Sequence, residues 1–331
     1  MVSKINVRGV PHAYERTAPT HSSTALVFLH GWLLSRAYWR LVVERLAPEY
    51  QCLTYDLRGF GDSQTQTPSK QQKKATVKRS LAMVSTGAIA SFPPEIPETD
   101  SPLDLAQPDD LAQESPSPLG FTPADYATDL AILLEQLQME NVWLVGHSLG
   151  GSIALWAADQ MPEQVKGVIC VNSGGGIYLK EEFERFRAAG EQLVKLRPRW
   201  LCYLPLIDLL MTWMNVAKPI SRQWGRQRLL DWVLADPDAA LGALLESTTE
   251  AEVHQLPQVV SRLKQPVHFI AGANDMVMQP QYVRHLASFH PLFDLCGNNV
   301  MEIPNCGHLA MLEQPEALTD EIKRILNAEP N

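Results

Sequence analysis

Seven residues, Val145 to Gly151, set the terms on which this chain can fold. The apolar run Val142 to Val145 leads into them, and a helix-compatible run, Ser152 to Ala158, leads out. Between lie Gly146, His147, Ser148, Leu149 and Gly150, the pattern of a strand that turns sharply into a helix with a serine at the crest. Backbone at such a crest is strained and its neighbours must be small, and Gly146 and Gly150 leave that room. The five-residue pattern alone is of moderate specificity; the strand before it and the helix after it are the context that gives it meaning.

The same alternation runs through most of the chain. Residues 4–15 read as one or two edge strands, and Ala25–Leu29 as an uninterrupted apolar strand of the kind buried on both faces in a parallel sheet. A helix follows over Ser35–Leu46, stopped by Pro48, then a strand over Gln51–Asp56 and a glycine-rich turn to Ser63. Thr122 is an N-cap with Pro123 in the first turn and Asp125 beside the helix dipole, opening a helix to about Gln138 that leads into the strand before Ser148. After the serine helix come a strand over Val165–Val171 and the glycine run that follows Asn172 and Ser173. Strands over Gln265–Ile270 and Asn299–Ile303 and helices over Pro280–Phe289 and Pro315–Asn327 complete the series. Strands alternating with helices predict an α/β fold with a mostly parallel central sheet flanked by helices.

Two segments interrupt it. Residues 64–120 open with Gln, Thr and a basic cluster (Lys70, Lys73, Lys74, Lys78, Arg79) and end rich in Pro, Ser, Asp and Glu, a composition that cannot bury a core. They are expected to be a flexible, low-complexity insertion. Its apolar piece, Leu81–Phe92, fits a short helix or flap packing on its own domain; peripheral membrane contact through 70–92 is the alternative reading. Residues 177–257 read as several helices, an inserted helical cap. Trp200–Met214 is strongly apolar but broken by Pro205, Asp208 and Thr212, too short to span a bilayer, and is expected to line a lipophilic pocket from above. The expected division is thus a core over 1–63, 121–176 and 258–331, with the insertion at 64–120 and the cap at 177–257.

Composition narrows the function. With 45% hydrophobic and 20% charged residues the chain resembles ordinary soluble proteins, and a net charge of −9 opposes binding to nucleic acid. Its five cysteines are scattered through apolar runs, without metal spacing or a disulfide framework. With no apolar leader after Met1, the default compartment is the cytoplasm, with membrane-peripheral placement the alternative. The remaining histidines show no metal-ligand spacing, so no cofactor or metal is called for. No feature sets an oligomeric state.

Turns after parallel strands all emerge at the carboxyl edge, so Ser148, Asp275 and His308, each just past a strand, should converge there. Five pieces in order, His30-Gly31-Trp32, Asp56 to Ser63, Gly146 to Gly151, Gly272 to Asp275, and Cys306-Gly307-His308, make the chain resemble the α/β-hydrolase superfamily, serine hydrolases with a helical cap. The resemblance covers roughly residues 20–63 and 121–328. It implies Ser148 as nucleophile, His308 as base and Asp275 as the carboxylate that orients it, with backbone N–H groups of Trp32 and Leu149 as the oxyanion hole. His30, Gly31, His147, Gly146 and Gly150 support these. Asp56, Arg58 and Asp62 fit a turn-stabilising network. Haloalkane dehalogenases and epoxide hydrolases of this fold place an aspartate where Ser148 stands, which leaves acyl chemistry. The expected substrate is a carboxylic ester of a hydrophobic small molecule or lipid. Carbon–carbon bond hydrolysis, acyl transfer or perhydrolysis on the same triad are the enzymatic alternatives, and a ligand-binding receptor or scaffold is the non-enzymatic one.

Overall fold

The order of the strands decides which residues meet, and in the computed structural model it is an eight-stranded sheet. Residues 1–64, 119–175, 180–294 and 297–328 are described; the body of the expected insertion, including 70–92, lies outside them, as do Gly176 and Cys296. The strands are β1 (Ser3–Val7), β2 (Val10–Arg16), β3 (Ala25–Leu29), β4 (Gln51–Tyr55), β5 (Val142–His147), β6 (Val165–Val171), β7 (Val267–Gly272) and β8 (Val300–Ile303). They lie in the order β1-β2-β4-β3-β5-β6-β7-β8. β1 and β2 pair antiparallel, as does β2 with β4, and the other neighbours are parallel. β3 and β5 are adjacent at the centre, and every residue of both is buried.

Side-chain alternation splits the core in two. Val27, Leu29, Leu53, Leu144 and Phe269 point to one face, and Leu26, Phe28, Val145, Ile169 and Ile270 to the other. Each fully buried side chain of this kind contributes roughly 1.5–3 kcal/mol. The helices covering the first face include α2 (Pro123–Gln136) and α3 (Leu149–Gln160); those on the second include α1 (Arg40–Leu46), α10 (Ala310–Glu313) and α11 (Pro315–Ala328). The capping signal before α2 is borne out: Thr122 Oγ1 accepts from the Asp125 N–H while the Asp125 carboxylate accepts from the Thr122 N–H.

The helix expected over Ser35–Leu46 begins differently. Arg36–Trp39 is a 3₁₀ turn that runs into α1. Ser35 does not cap it, because its hydroxyl donates to Asp231 (3.0 Å), and the Arg36 N–H is taken by Asp56 (2.6 Å). Asp56 also pairs with the Arg36 guanidinium and accepts from the Asp62 N–H. Arg58, expected within this turn network, instead reaches across to Asp129 on α2 at 2.7 Å.

Between β6 and β7 the chain is helical: α4 (Lys180–Lys195), a 3₁₀ turn (Arg199–Tyr203), α5 (Ile207–Met211), α6 (Arg222–Leu234), α7 (Pro237–Ser247) and α8 (Glu250–Arg262). The single apolar helix expected around Trp200–Val216 is broken into the 3₁₀ turn and α5, since Pro205 cannot continue a helix and Leu206 sits at φ +73°. α8 carries Pro257 inside it and runs on past the point where the cap was expected to end. Between β7 and β8 lie α9 (Pro280–Ala287) and a 3₁₀ turn (Pro291–Phe293). Among the described residues no helix is long and apolar enough to cross a membrane. Cys52, Cys170 and Cys306 are buried free thiols, and Cys202 is half-buried.

The helical segment is tied to the sheet edge by polar contacts. The Trp32 indole donates to the Ala240 carbonyl (2.7 Å), the Asp236 N–H to the Gly59 carbonyl (2.8 Å), and Ser35 to Asp231. Burial pushes the Asp231 carboxyl up to about 7, against bonds from Gln227 and Ser35 that pull it down. The folded chain therefore keeps a proton there that an unfolded carboxyl releases above about pH 4, so stability falls as pH rises from about 4 to about 7 and then levels. Asp231→Asn should flatten that slope, measured as the difference in thermal midpoint between mildly acidic and mildly alkaline buffer; an unchanged slope would count against the assignment.

Candidate functional site

The site begins with a strained turn. Ser148 follows β5 directly at φ 52° and ψ −119°, a region non-glycine residues rarely occupy, at a cost of about 1–3 kcal/mol. Its N–H donates to the Val171 carbonyl (3.0 Å), and its own carbonyl accepts from the Gly151 N–H (2.9 Å) and Ser173 Oγ (2.8 Å). A Cβ on Gly146 would strike the Gly150 carbonyl, and one on Gly150 would sit 2.5 Å from the Leu29 carbonyl oxygen. Gly31 is as constrained: a Cβ there would lie 2.7 Å from His147 Nδ1 and 3.2 Å from the Ser148 Cβ. Helix α3, Gly31 and Ser148 are thus packed to backbone contact.

The neighbouring loop is fixed by His30. The Leu57 N–H donates to its Nε2 (3.0 Å), so Nδ1 carries the proton and donates to the Gly31 carbonyl (2.8 Å). Burial holds this ring below the ordinary histidine range, hence neutral. Neither the Trp32 nor the Leu149 backbone N–H has an acceptor among the described residues. Trp32 follows the His30–Gly31 loop, and Leu149 is the first residue of α3, directly after Ser148.

Asp275 and His308 reach the same edge from β7 and β8. His308 Nδ1 lies 2.7 Å from Asp275 Oδ2, so Nδ1 donates to the carboxylate and Nε2 is left as the basic nitrogen. Burial alone would raise the Asp275 carboxyl, but His308 beside it and hydrogen bonds from Met278 and Asn172 outweigh that and hold it below its usual range. Its Oδ1 accepts from the Val277 N–H (2.8 Å) and Met278 N–H (2.9 Å). His147 is buried behind the site: burial, helped by nearby His308, drives its ring down to about 3, and the neutral ring donates from Nε2 to the His308 carbonyl at 2.7 Å.

Two residues absent from the sequence expectation hold this arrangement. Asn172, left-handed at φ 49° just after β6, donates to both Asp275 (2.8 Å) and the Gly307 carbonyl (3.2 Å). Its place past a strand end was a usable signal. Glu313 brackets the histidine: its carboxylate accepts from the Gly307 (2.9 Å), Leu309 (3.0 Å) and Ala217 (2.7 Å) N–H groups, and the His308 N–H donates to the Asn215 carbonyl (2.9 Å). No sequence pattern pointed to Glu313.

Ser148 and His308 line one cavity of about 480 Å³ beneath the helical segment, with Trp32, Met214, Arg228 and Trp232 among its walls. Ser148 and Trp32 also border a second recess of about 90 Å³, lined by Leu149 and Leu244. The candidate serine thus stands between a large and a small compartment. Of the apolar stretch expected to roof the pocket, Met211 and Met214 do so, whereas Trp200, Tyr203, Leu206, Leu210 and Trp213 face outward.

With this geometry in view, residues 26–321 match the alpha/beta hydrolase family, and the chain belongs to it. It is an α/β-fold hydrolase. A 2-succinyl-6-hydroxy-2,4-cyclohexadiene-1-carboxylate synthase of Serratia proteamaculans (strain 568) is 26% identical over 306 residues, covering 91% of this chain and 92% of its own. Among solved structures, an esterase from Thermogutta terrifontis is similar with a TM-score of 0.65 at 21% identity, covering 99% of this chain and 98% of its own. The epoxide hydrolase CorEH has a TM-score of 0.65 at 18% identity over 99% of this chain and 98% of its own. Both structures share the fold.

Glu313→Ala would strand three N–H groups around His308. It should lower hydrolase activity by about tenfold to a hundredfold, as small displacements of a reacting group do, with Glu313→Gln losing less; a folded, fully active Glu313→Ala protein would contradict this role.

Proposed function

We propose that this hydrolase cleaves a carboxylic ester of a hydrophobic small molecule or lipid through an acyl-enzyme. The observation that carries the reading is the 2.7 Å bond from His308 Nδ1 to Asp275 at the wall of the cavity that Ser148 also lines. In this reading Ser148 Oγ attacks the ester carbonyl while His308 Nε2 takes its proton, and Asp275 stabilises the imidazolium. The developing oxyanion is held by the Leu149 and Trp32 N–H groups, each worth roughly 100- to 1000-fold in rate. His308 then protonates the departing alcohol, and a water molecule, deprotonated by the same nitrogen, releases the acid and restores Ser148. A serine in place of aspartate at the crest favours acyl chemistry over the epoxide opening named for CorEH.

The large cavity beside Ser148 favours an ester whose acyl group is bulky and apolar. Against p-nitrophenyl esters, kcat/KM should rise from acetate to medium-length acyl chains, and Ser148→Ala should lose at least a thousandfold. A steady preference for acetate would overturn the lipophilic substrate, and an active Ser148→Ala protein would overturn the mechanism.

Arg228 favours a second, narrower reading. It lines the large cavity, donates to the Met211 (2.7 Å) and Met214 (2.6 Å) carbonyls, and forms no ion pair among the described residues. Burial lowers its pKa without removing its charge. A cation so placed suits a substrate bearing a carboxylate, the group named in the Serratia relative's product. That reading expects mono-p-nitrophenyl succinate to be cleaved in preference to p-nitrophenyl butyrate; the reverse order excludes it.

A further inference from the structure

The segment between α4 and α6 has two faces of different kinds. Its inner side chains, Leu201, Cys202, Ile207, Met211 and Met214, pack against Leu229 and Val233 of α6. Its backbone is pinned there too: the Cys202 carbonyl accepts from Arg226 (2.6 Å), and Gly225 leaves room for the Asp208 carbonyl. The outward face is therefore fixed rather than loose, and it is apolar. Leu196, Trp200, Tyr203, Leu206, Leu210 and Trp213 are each more than half exposed, Tyr203 at 85%. Scattered exposed hydrophobics are ordinary; this many within one short, tethered segment mark an interaction surface.

The charge around that face is the reverse of the whole. From Lys195 to Arg228 there are seven basic residues against Asp208 alone, two of them, Arg197 and Arg228, buried on the inner side, in a chain of net charge −9. Lys195, Arg199, Lys218 and Arg222 are exposed at its margins. Lys195 is paired with Glu191 (3.0 Å) and Arg222 with Asp208 (2.7 Å), while Arg199 and Lys218 have no ion pair among the described residues. Leucines with tryptophan and tyrosine, rimmed by lysine and arginine, match the depth profile of a bilayer surface, where indole and phenol rings sit at the headgroups and cations meet anionic lipid. A second copy of the chain fits less well, because a two-fold contact through this face would set basic margin against basic margin.

We propose that the outward face of residues 196–213 docks on the surface of an anionic lipid bilayer. Leu210 and Trp213 then enter the interface while Met211 and Met214, their neighbours in sequence, wall the cavity holding Ser148 and His308. Docking places the lipid surface one thin segment away from that cavity. The proposal does not depend on Ser148 being a nucleophile.

The test is flotation of the full chain with vesicles of phosphatidylcholine alone or mixed with phosphatidylglycerol, alongside tryptophan emission and its quenching by brominated lipid. Binding to the anionic vesicles, weakened by salt, with a blue shift and quenching, is expected. The triple variant Trp200→Ser, Leu210→Asp, Trp213→Ser should lower partitioning at least tenfold while keeping the thermal midpoint and circular dichroism of the wild type. Variants of exposed side chains seldom unfold a protein; should this one do so, Arg199→Glu with Lys218→Glu serves instead, with the same expected loss. Absence of vesicle binding by the wild type, binding that survives the substitutions, or light scattering showing a dimer that the substitutions dissociate would each overturn the proposal.

Discussion

How closely backbone can approach backbone at the turn from β5 into α3 governs the rest of the site. Gly146 lies against the Gly150 carbonyl and Gly150 against that of Leu29, so α3 sits down on the ends of two central strands with no side chain between. Only then does Ser148 stand at its strained crest with Gly31 pressed against it and Leu149 opening α3. Strain of this kind persists because the surroundings over-determine it, here through three hydrogen bonds to the Ser148 backbone and its carbonyl.

Much of this was legible in the sequence because it rests on local rules. Uninterrupted apolar runs announced β3 and β5, Thr122 with Asp125 announced the start of α2, and the strand ends placed Ser148, Asp275 and His308 at one edge. What escaped depended on partners far apart in the chain. The helix expected from Ser35 starts instead as a 3₁₀ turn, because the Ser35 hydroxyl goes to Asp231 on α6, nearly two hundred residues on. Arg58 looked like a member of its own turn, yet its carboxylate is Asp129. Nothing in the sequence distinguishes Glu313, whose role rests on its three backbone donors around His308. The apolar stretch around Trp200–Met214 shows the limit most plainly: hydrophobicity told that it would bury something, and only the break at Pro205 and Leu206 decides which side chains turn in and which turn out.

The helical segment between β6 and β7 serves several ends at once. Through Asn215 and Ala217 it grips the loop that carries His308, through Ala240 it holds Trp32, and through Met214, Arg228 and Trp232 it walls the large cavity. The shape of the cavity and the placing of His308 are therefore coupled, since a shift of this segment moves both. The buried Asp231, held by Ser35, makes the same attachment sensitive to pH.

If His308 and Asp275 make Ser148 nucleophilic, an electrophile that traps activated serines will capture it covalently. A fluorophosphonate should add one equivalent to the native chain, and peptide mapping should find it on Ser148 alone. His308→Ala should slow the labelling by orders of magnitude while leaving the fold intact. A folded wild type that stays unlabelled, or one labelled at another residue, would show that Ser148 is not the nucleophile.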